Sequence, residues 1–182
     1  MSEMTAERAL ATLAAGRNRF LAELEHFDEA TFFSPPPRGG WAAAHVVEHV
    51  VRVETRIQQG ARKVLEHGSE YRPSWYDALL KLPMRSGIVQ FVRVRAVRGA
   101  DPLADGGVAG MSRAQLLERL ASVRAATIAV LGETRDRDLS RSYLRHPYFG
   151  VFPVRDFLAW TAWHEERHRK QLVRIRRAFG AR

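Results

Sequence analysis

Apolar residues recur with the period of the α-helix in four separate stretches of this chain. In the first, residues 5–25, Leu10, Leu13, Phe20, Leu21 and Leu24 fall on one stripe, which Gly16 weakens without ending. Residues 26–40 contain Pro35, Pro36 and Pro37 followed by Gly39 and Gly40, the composition of a loop. Trp41 opens the second stretch, which runs to about residue 66. There Ala42, Ala43 and Ala44 favour helix, and Trp41, His45, His49, Val53 and Ile57 share a face. Ser112 starts the third, with Gln115 three residues on as its capping-box partner. Its stripe is Leu116, Leu117, Leu120, Val123, Thr127, Ile128 and Leu131, and Gly132 with the charged run to Arg141 ends it. The fourth spans residues 156–177, with Pro153 suited to its first turn, and turns Phe157, Trp160, Thr161, His164, His168, Leu172 and Ile175 inward.

The remaining segments are less regular. Pro73 and Pro83 punctuate residues 67–110. Residues 74–81 and 84–97 suit two short helices, although Ile88, Phe91, Val92 and Val94 also suit a strand, and 99–110 is a Gly- and Pro-containing connection. Residues 145–153 form an aromatic loop. Four long amphipathic helices, with a long, partly helical crossover between the second and third, predict an all-α four-helix bundle. The crossover allows two neighbouring helices to run parallel. A length of 182 residues suits one domain spanning 1–182.

Composition alters this picture in three respects. No apolar run approaches the roughly 20 residues needed to span a bilayer, and the acidic start, Met1 to Glu7, lacks the features of a signal peptide, so a cytoplasmic location is expected. Cysteine is absent, which removes disulfides, thiolate metal sites, Fe–S clusters and a cysteine nucleophile, and leaves His, Asp and Glu to hold any metal. The net charge of +9 is densest at Arg167, Arg169, Lys170, Arg174, Arg176, Arg177 and Arg182. This cluster reads as the solvated outer face of the last helix near its C-terminal dipole, and no nucleic-acid-binding motif accompanies it.

The histidines carry the candidate chemistry. His164 and His168, four residues apart on one helix, project from the same side and can grip one metal ion. With Glu165 between them they match the H-E-x-x-H string of zinc proteases. The extended protease pattern, however, needs Gly and His where Gln171 and Arg174 stand, and no later helix follows to supply a carboxylate. A di-iron site would need a second Glu-x-x-His unit, and helix two offers only the reverse order, His45-x-x-Glu48. The third arrangement joins His164 and His168 to His49 or His45 of helix two, giving three imidazoles and an open position. A Trp-x3-His-x3-His spacing occurs in both helices, at Trp41 and at Trp160. Glu48 and Glu54 are candidates for a base or for orienting a ligand's second nitrogen, with pairing to a nearby arginine as the ordinary alternative. His146 sits in the aromatic loop expected over the pocket, and Gln171 is placed to hydrogen-bond a substrate or an imidazole. His26 and His67 are expected at the surface.

The segment Trp41-Ala-Ala-Ala-His-Val-Val-Glu48-His49 resembles the helix-two signature of the DinB superfamily. His146-Pro147-Tyr148-Phe149-Gly150, Trp160 and His164-x3-His168-x-x-Gln171-Leu172 resemble its C-terminal segment. The resemblance implies an up-down-down-up bundle whose second and fourth helices are antiparallel neighbours. It implies a divalent transition metal (zinc, nickel or iron) on His49, His164 and His168, with His45 one turn away. His45, Glu48, His146, Trp160 and Gln171 then become residues of the pocket or of its surround. Members of the family include transferases and isomerases using low-molecular-weight thiols and proteins assigned as metal-dependent hydrolases, and they are frequently dimers. The implied function is activation of a small thiol or water on a small-molecule substrate. The alternative is a non-catalytic, metal-containing bundle that binds a ligand or a partner.

Overall fold

A computed structural model of the chain describes residues 4–81, 100–103 and 107–180. The 84–97 segment, expected as helix or strand, lies outside them. Helix α1 (Ala6–Leu24) is capped by the Thr5 hydroxyl, which accepts from the Arg8 N–H. A short helix, α2 (Glu29–Phe33), interrupts the stretch expected to be loop throughout. Asp28 caps it by accepting from the Thr31 N–H at 2.7 Å, and Phe32 is buried. Helix α3 (Ala43–His67) begins two residues later than the periodicity predicts, so Trp41 precedes it, and His45 Nδ1 accepts from the Ala42 N–H at 3.2 Å. Then come α4 (Trp75–Leu80) and α5 (Arg113–Glu133), the latter with the reciprocal Ser112–Gln115 capping bonds.

The expected aromatic loop is instead a β-hairpin, β1 (Tyr143–His146) and β2 (Gly150–Pro153), with Tyr143 opposite Pro153 and His146 opposite Gly150. Pro147, Tyr148 and Phe149 make the turn, and Gly150 takes a φ of +78°. A side chain at 150 would also collide with Asp77, whose carboxylate accepts from the Val151 N–H at 2.9 Å and ties the hairpin to α4. Helix α6 (Val154–Ala178) follows directly, with Pro153 as its N-cap.

Cross-links between helices give their directions. Met4 bonds Asp156, Arg17 pairs with Glu165 and Arg176 with Glu23, so α1 and α6 run parallel. They approach closely at Gly16, where a Cβ would lie 2.8 Å from that of Ala162. Helix α3 is antiparallel to α6, since Trp41 faces His168 while His49 also faces His164. The pairs Glu48–Arg119, Glu54–Arg124 and Arg62–Glu133 make α3 and α5 parallel. Arg113 bonds the Leu24 and Phe27 carbonyls and Arg124 the Leu13 carbonyl, which makes α5 antiparallel to α1. The long helices α1, α3, α5 and α6 therefore run up, down, down and up.

Among the described residues, two apolar clusters fill the bundle. One gathers Leu13, Ile57, Val130, Leu131, Phe157 and Leu158 with the hairpin, and the other gathers Phe20, Leu24, Val47, Leu116, Leu120 and Leu172. Leu21 and Ile128, expected on buried stripes, are exposed. Between the clusters lies a charged layer with one residue from each long helix: Arg17, Glu54, Arg124 and Glu165. Arg17 reaches Glu165 at 2.6 Å and Glu54 at 3.0 Å, while Arg124 reaches Glu54 at 2.7 Å and Glu165 at 3.0 Å. Remaining guanidinium N–H groups donate to the Leu120 and Leu13 carbonyls. Among the described residues, no helix is long and apolar enough to cross a membrane.

Candidate metal centre

His164 and His168 stand one turn apart on α6 and meet His49 of α3, all three buried. The Nε2 atom of His164 lies 3.3 Å from that of His49 and 3.1 Å from that of His168. Ligands bonded to one ion at roughly 2.0–2.1 Å in tetrahedral directions are about 3.3 Å apart, so the spacing suits a common ion. Ligating atoms of all three histidines lie within 4.8 Å of one another.

The outer nitrogens decide what the inner ones can offer. His49 Nδ1 is 2.7 Å from the Ala100 carbonyl, an acceptor only, so its proton sits on Nδ1. His168 Nδ1 likewise donates to Gln171 Oε1 at 2.9 Å. In the neutral rings both Nε2 atoms then present lone pairs toward His164. Burial pushes all three imidazole pKa values down, those of His164 and His168 well below the ordinary range, with their imidazole neighbours adding to the effect. The result is a desolvated, neutral set of lone pairs, which a divalent cation would satisfy and an apolar neighbour would not.

The cluster forms one wall of a cavity of about 1030 Å³. Trp41, with its ring 4.9 Å from His49, and Trp160, stacked on His164 at 5.1 Å, flank the histidines. His146 lines the cavity from the hairpin, 4.9 Å from the Trp160 ring. Its Nδ1 accepts from the Tyr148 and Phe149 N–H groups at 3.1 and 3.3 Å, which places its proton on Nε2. Burial lowers its pKa to about 4.

A stability prediction follows for His146. Its folded pKa lies below the unfolded value of about 6.5, so stability is full above that pH and falls as pH drops toward 4. His146→Asn retains an acceptor for the two amides and does not titrate. Urea unfolding between pH 7 and pH 4.5 should show a shallower loss of stability in the variant, and equal slopes would count against the assignment.

The other expected site residues separate. His45 caps α3 and does not line the cavity. Glu48 also lies outside it, paired with Arg52 and Arg119 at 2.7 and 2.8 Å. Gln171 and Trp160 both line the cavity. Glu54 and Glu165 belong to the buried charged layer. His26 and His67 are exposed. Arg167 and Arg174, expected on the solvated outer face of the last helix, instead line the cavity, because residues 164, 167, 168, 171 and 174 share a stripe. The Ala100 carbonyl has no sequence signal, since any residue carries one. Arg17 and Arg124 do have one: each interrupts an apolar stripe.

Fold and site together define a helical bundle with a buried three-histidine group open to a cavity. The sequence pattern of the DinB superfamily matches residues 5–172, and the chain belongs to that superfamily. Two solved structures share the fold. One is the four-helix bundle protein TT2238, with 23% identity, 93% of this chain and 99% of that one covered, and a TM-score of 0.58. The other is YfiT from Bacillus subtilis, described as a probable metal-dependent hydrolase with an unusual four-helix bundle topology. It has 17% identity and a TM-score of 0.62, with 100% of this chain and 91% of that one covered. No curated protein sequence matches the chain.

Proposed function

We propose that the chain is a metal-dependent enzyme of small-molecule chemistry in which His49, His164 and His168 hold one divalent transition metal ion, such as zinc, nickel or iron. The convergence of oriented, neutral Nε2 atoms on one point beside a cavity carries this reading. Three protein ligands would leave a coordination position open, as in catalytic rather than structural sites. An ion held there would act as a Lewis acid and lower the pKa of a bound thiol or water. The chain has no cysteine, so the nucleophile, a low-molecular-weight thiol or water, comes from solution. His146 contributes a neutral Nε2–H donor, and Trp41 and Trp160 keep the histidines' surroundings apolar. The reaction is transfer or hydrolysis. Dimer formation, implied by the family, is tested by light scattering after gel filtration.

The competing reading is a non-catalytic bundle in which the metal is a structural clip. Metal analysis of protein purified without an affinity tag should find about one ion per chain, and protein that neither carries nor takes up metal would remove the basis of the proposal. Chelation then separates the two readings. Two apolar clusters and the charged layer hold the bundle independently of the histidines. The chelated protein should therefore keep its helical circular dichroism at 25 °C and melt cooperatively, with Tm lowered only through linkage to binding. Loss of helicity on chelation would favour the clip.

A further inference from the structure

We propose that the cavity takes an organic anion with an aromatic or otherwise apolar body, its acidic group seated between Arg167 and Arg174 beside the histidines. The proposal rests on the cavity being the substrate site of the reading above, but it does not require the metal. Among the described residues, the acidic and basic side chains lining the cavity, apart from histidines, are Arg38, Arg56, Arg145, Arg167 and Arg174 against Asp101. A five-to-one balance around a concave site focuses positive potential into it and favours an anionic ligand.

The α6 stripe makes the arrangement specific. Helical spacing puts Arg167 between His164 and His168, with Arg174 two turns further on, and the cavity touches all four. Arg167 is half-buried, and Arg167 and Arg174 both line the cavity, so an anion seated between the two guanidinium groups would replace the solvent that Arg167 lacks. The planar guanidinium fork matches carboxylate, sulfonate and phosphate oxygens.

The rest of the cavity is suited to an apolar body. Trp41, Phe149, Phe157, Trp160 and Trp163 contribute ring surface, and a volume of about 1030 Å³ accommodates more than a bare inorganic anion. Small-molecule sites combine such apolar walls with a few convergent polar groups. The Nε2–H of His146 is one further donor available to the bound molecule.

The test compares 2-naphthoate with 2-naphthylmethanol, which share a ring system and differ in charge, by calorimetric titration of chelated, metal-free protein. Naphthoate should bind at least about tenfold more tightly, the scale of a charge-assisted hydrogen bond. Arg174→Gln, at an exposed position that leaves the fold intact, should reduce that preference, and Arg167→Gln with Arg174→Gln should abolish it. Arg177→Gln, exposed on the same helix and outside the cavity, should keep it. Equal affinities, no binding of either probe, or a preference surviving the double substitution would each overturn the proposal. A preference that appears only after Zn²⁺ is added and is insensitive to the arginines would assign the anion to the ion instead, leaving the three-histidine reading intact. Naphthoate selectivity in protein that takes up no metal would support the anion site while removing the metal reading.

Discussion

Replacing Glu54 with alanine is expected to destabilise the bundle by roughly 3–5 kcal/mol, the usual cost of removing one partner from a buried ion-pair network. For a domain of this size that corresponds to a Tm drop of about 6–20 °C. Glu54 is 1% exposed and contacts both Arg17 and Arg124. Its loss leaves two guanidinium groups sharing the Glu165 carboxylate, in a layer closed above and below by apolar side chains. The control is Arg62→Ala, which breaks the exposed Arg62–Glu133 pair and should cost less than about 1 kcal/mol. Urea unfolding at pH 7 measures both. Similar losses in the two variants would mean that water reaches the layer and that its charges are not desolvated. Because each long helix supplies one member, sliding any helix by a turn would strand a buried charge, so the layer also selects the helix register.

The second large effect concerns the ion. His49→Ala should abolish retention of metal through gel filtration, since it removes the only α3 imidazole in the cluster. Gln171→Leu removes only the partner that orients His168, and should weaken affinity by about 10–100-fold, as losses of outer-shell partners usually do. His45→Ala should leave affinity within a few-fold and cost about 1 kcal/mol of stability through the lost cap. Competition against a chromophoric chelator resolves these three outcomes. Metal retained by His49→Ala but lost from His45→Ala would transfer the ligand role to His45.

Legibility in the sequence followed side-chain periodicity. Helices α1, α3, α5 and α6 announce themselves because buried positions at 3.6-residue spacing must be apolar. His164 and His168 are visible as a pair for the same reason, since i and i+4 share a face. The two Trp-x3-His-x3-His elements look equivalent, yet His45 caps its helix while its counterpart His164 enters the cluster. The element at Trp41 straddles a helix start, so its three residues do not all share one helical face. The hairpin was hidden by a short aromatic segment whose strand character depends on pairing 143–146 with 150–153, and on Asp77 holding the Val151 amide.

By itself, then, the sequence determined the helical class, the helix boundaries to within a few residues, and the histidine types able to hold a metal. These are properties of residue chemistry and local spacing. Tertiary structure alone decided that the Ala100 carbonyl orients the His49 ring and that Arg167 and Arg174 face a cavity rather than solvent. It also brought Arg17, Glu54, Arg124 and Glu165 together from four helices. Each of these depends on the relative rotation and offset of helices far apart in the chain, and on backbone groups that every residue carries. No local pattern encodes them.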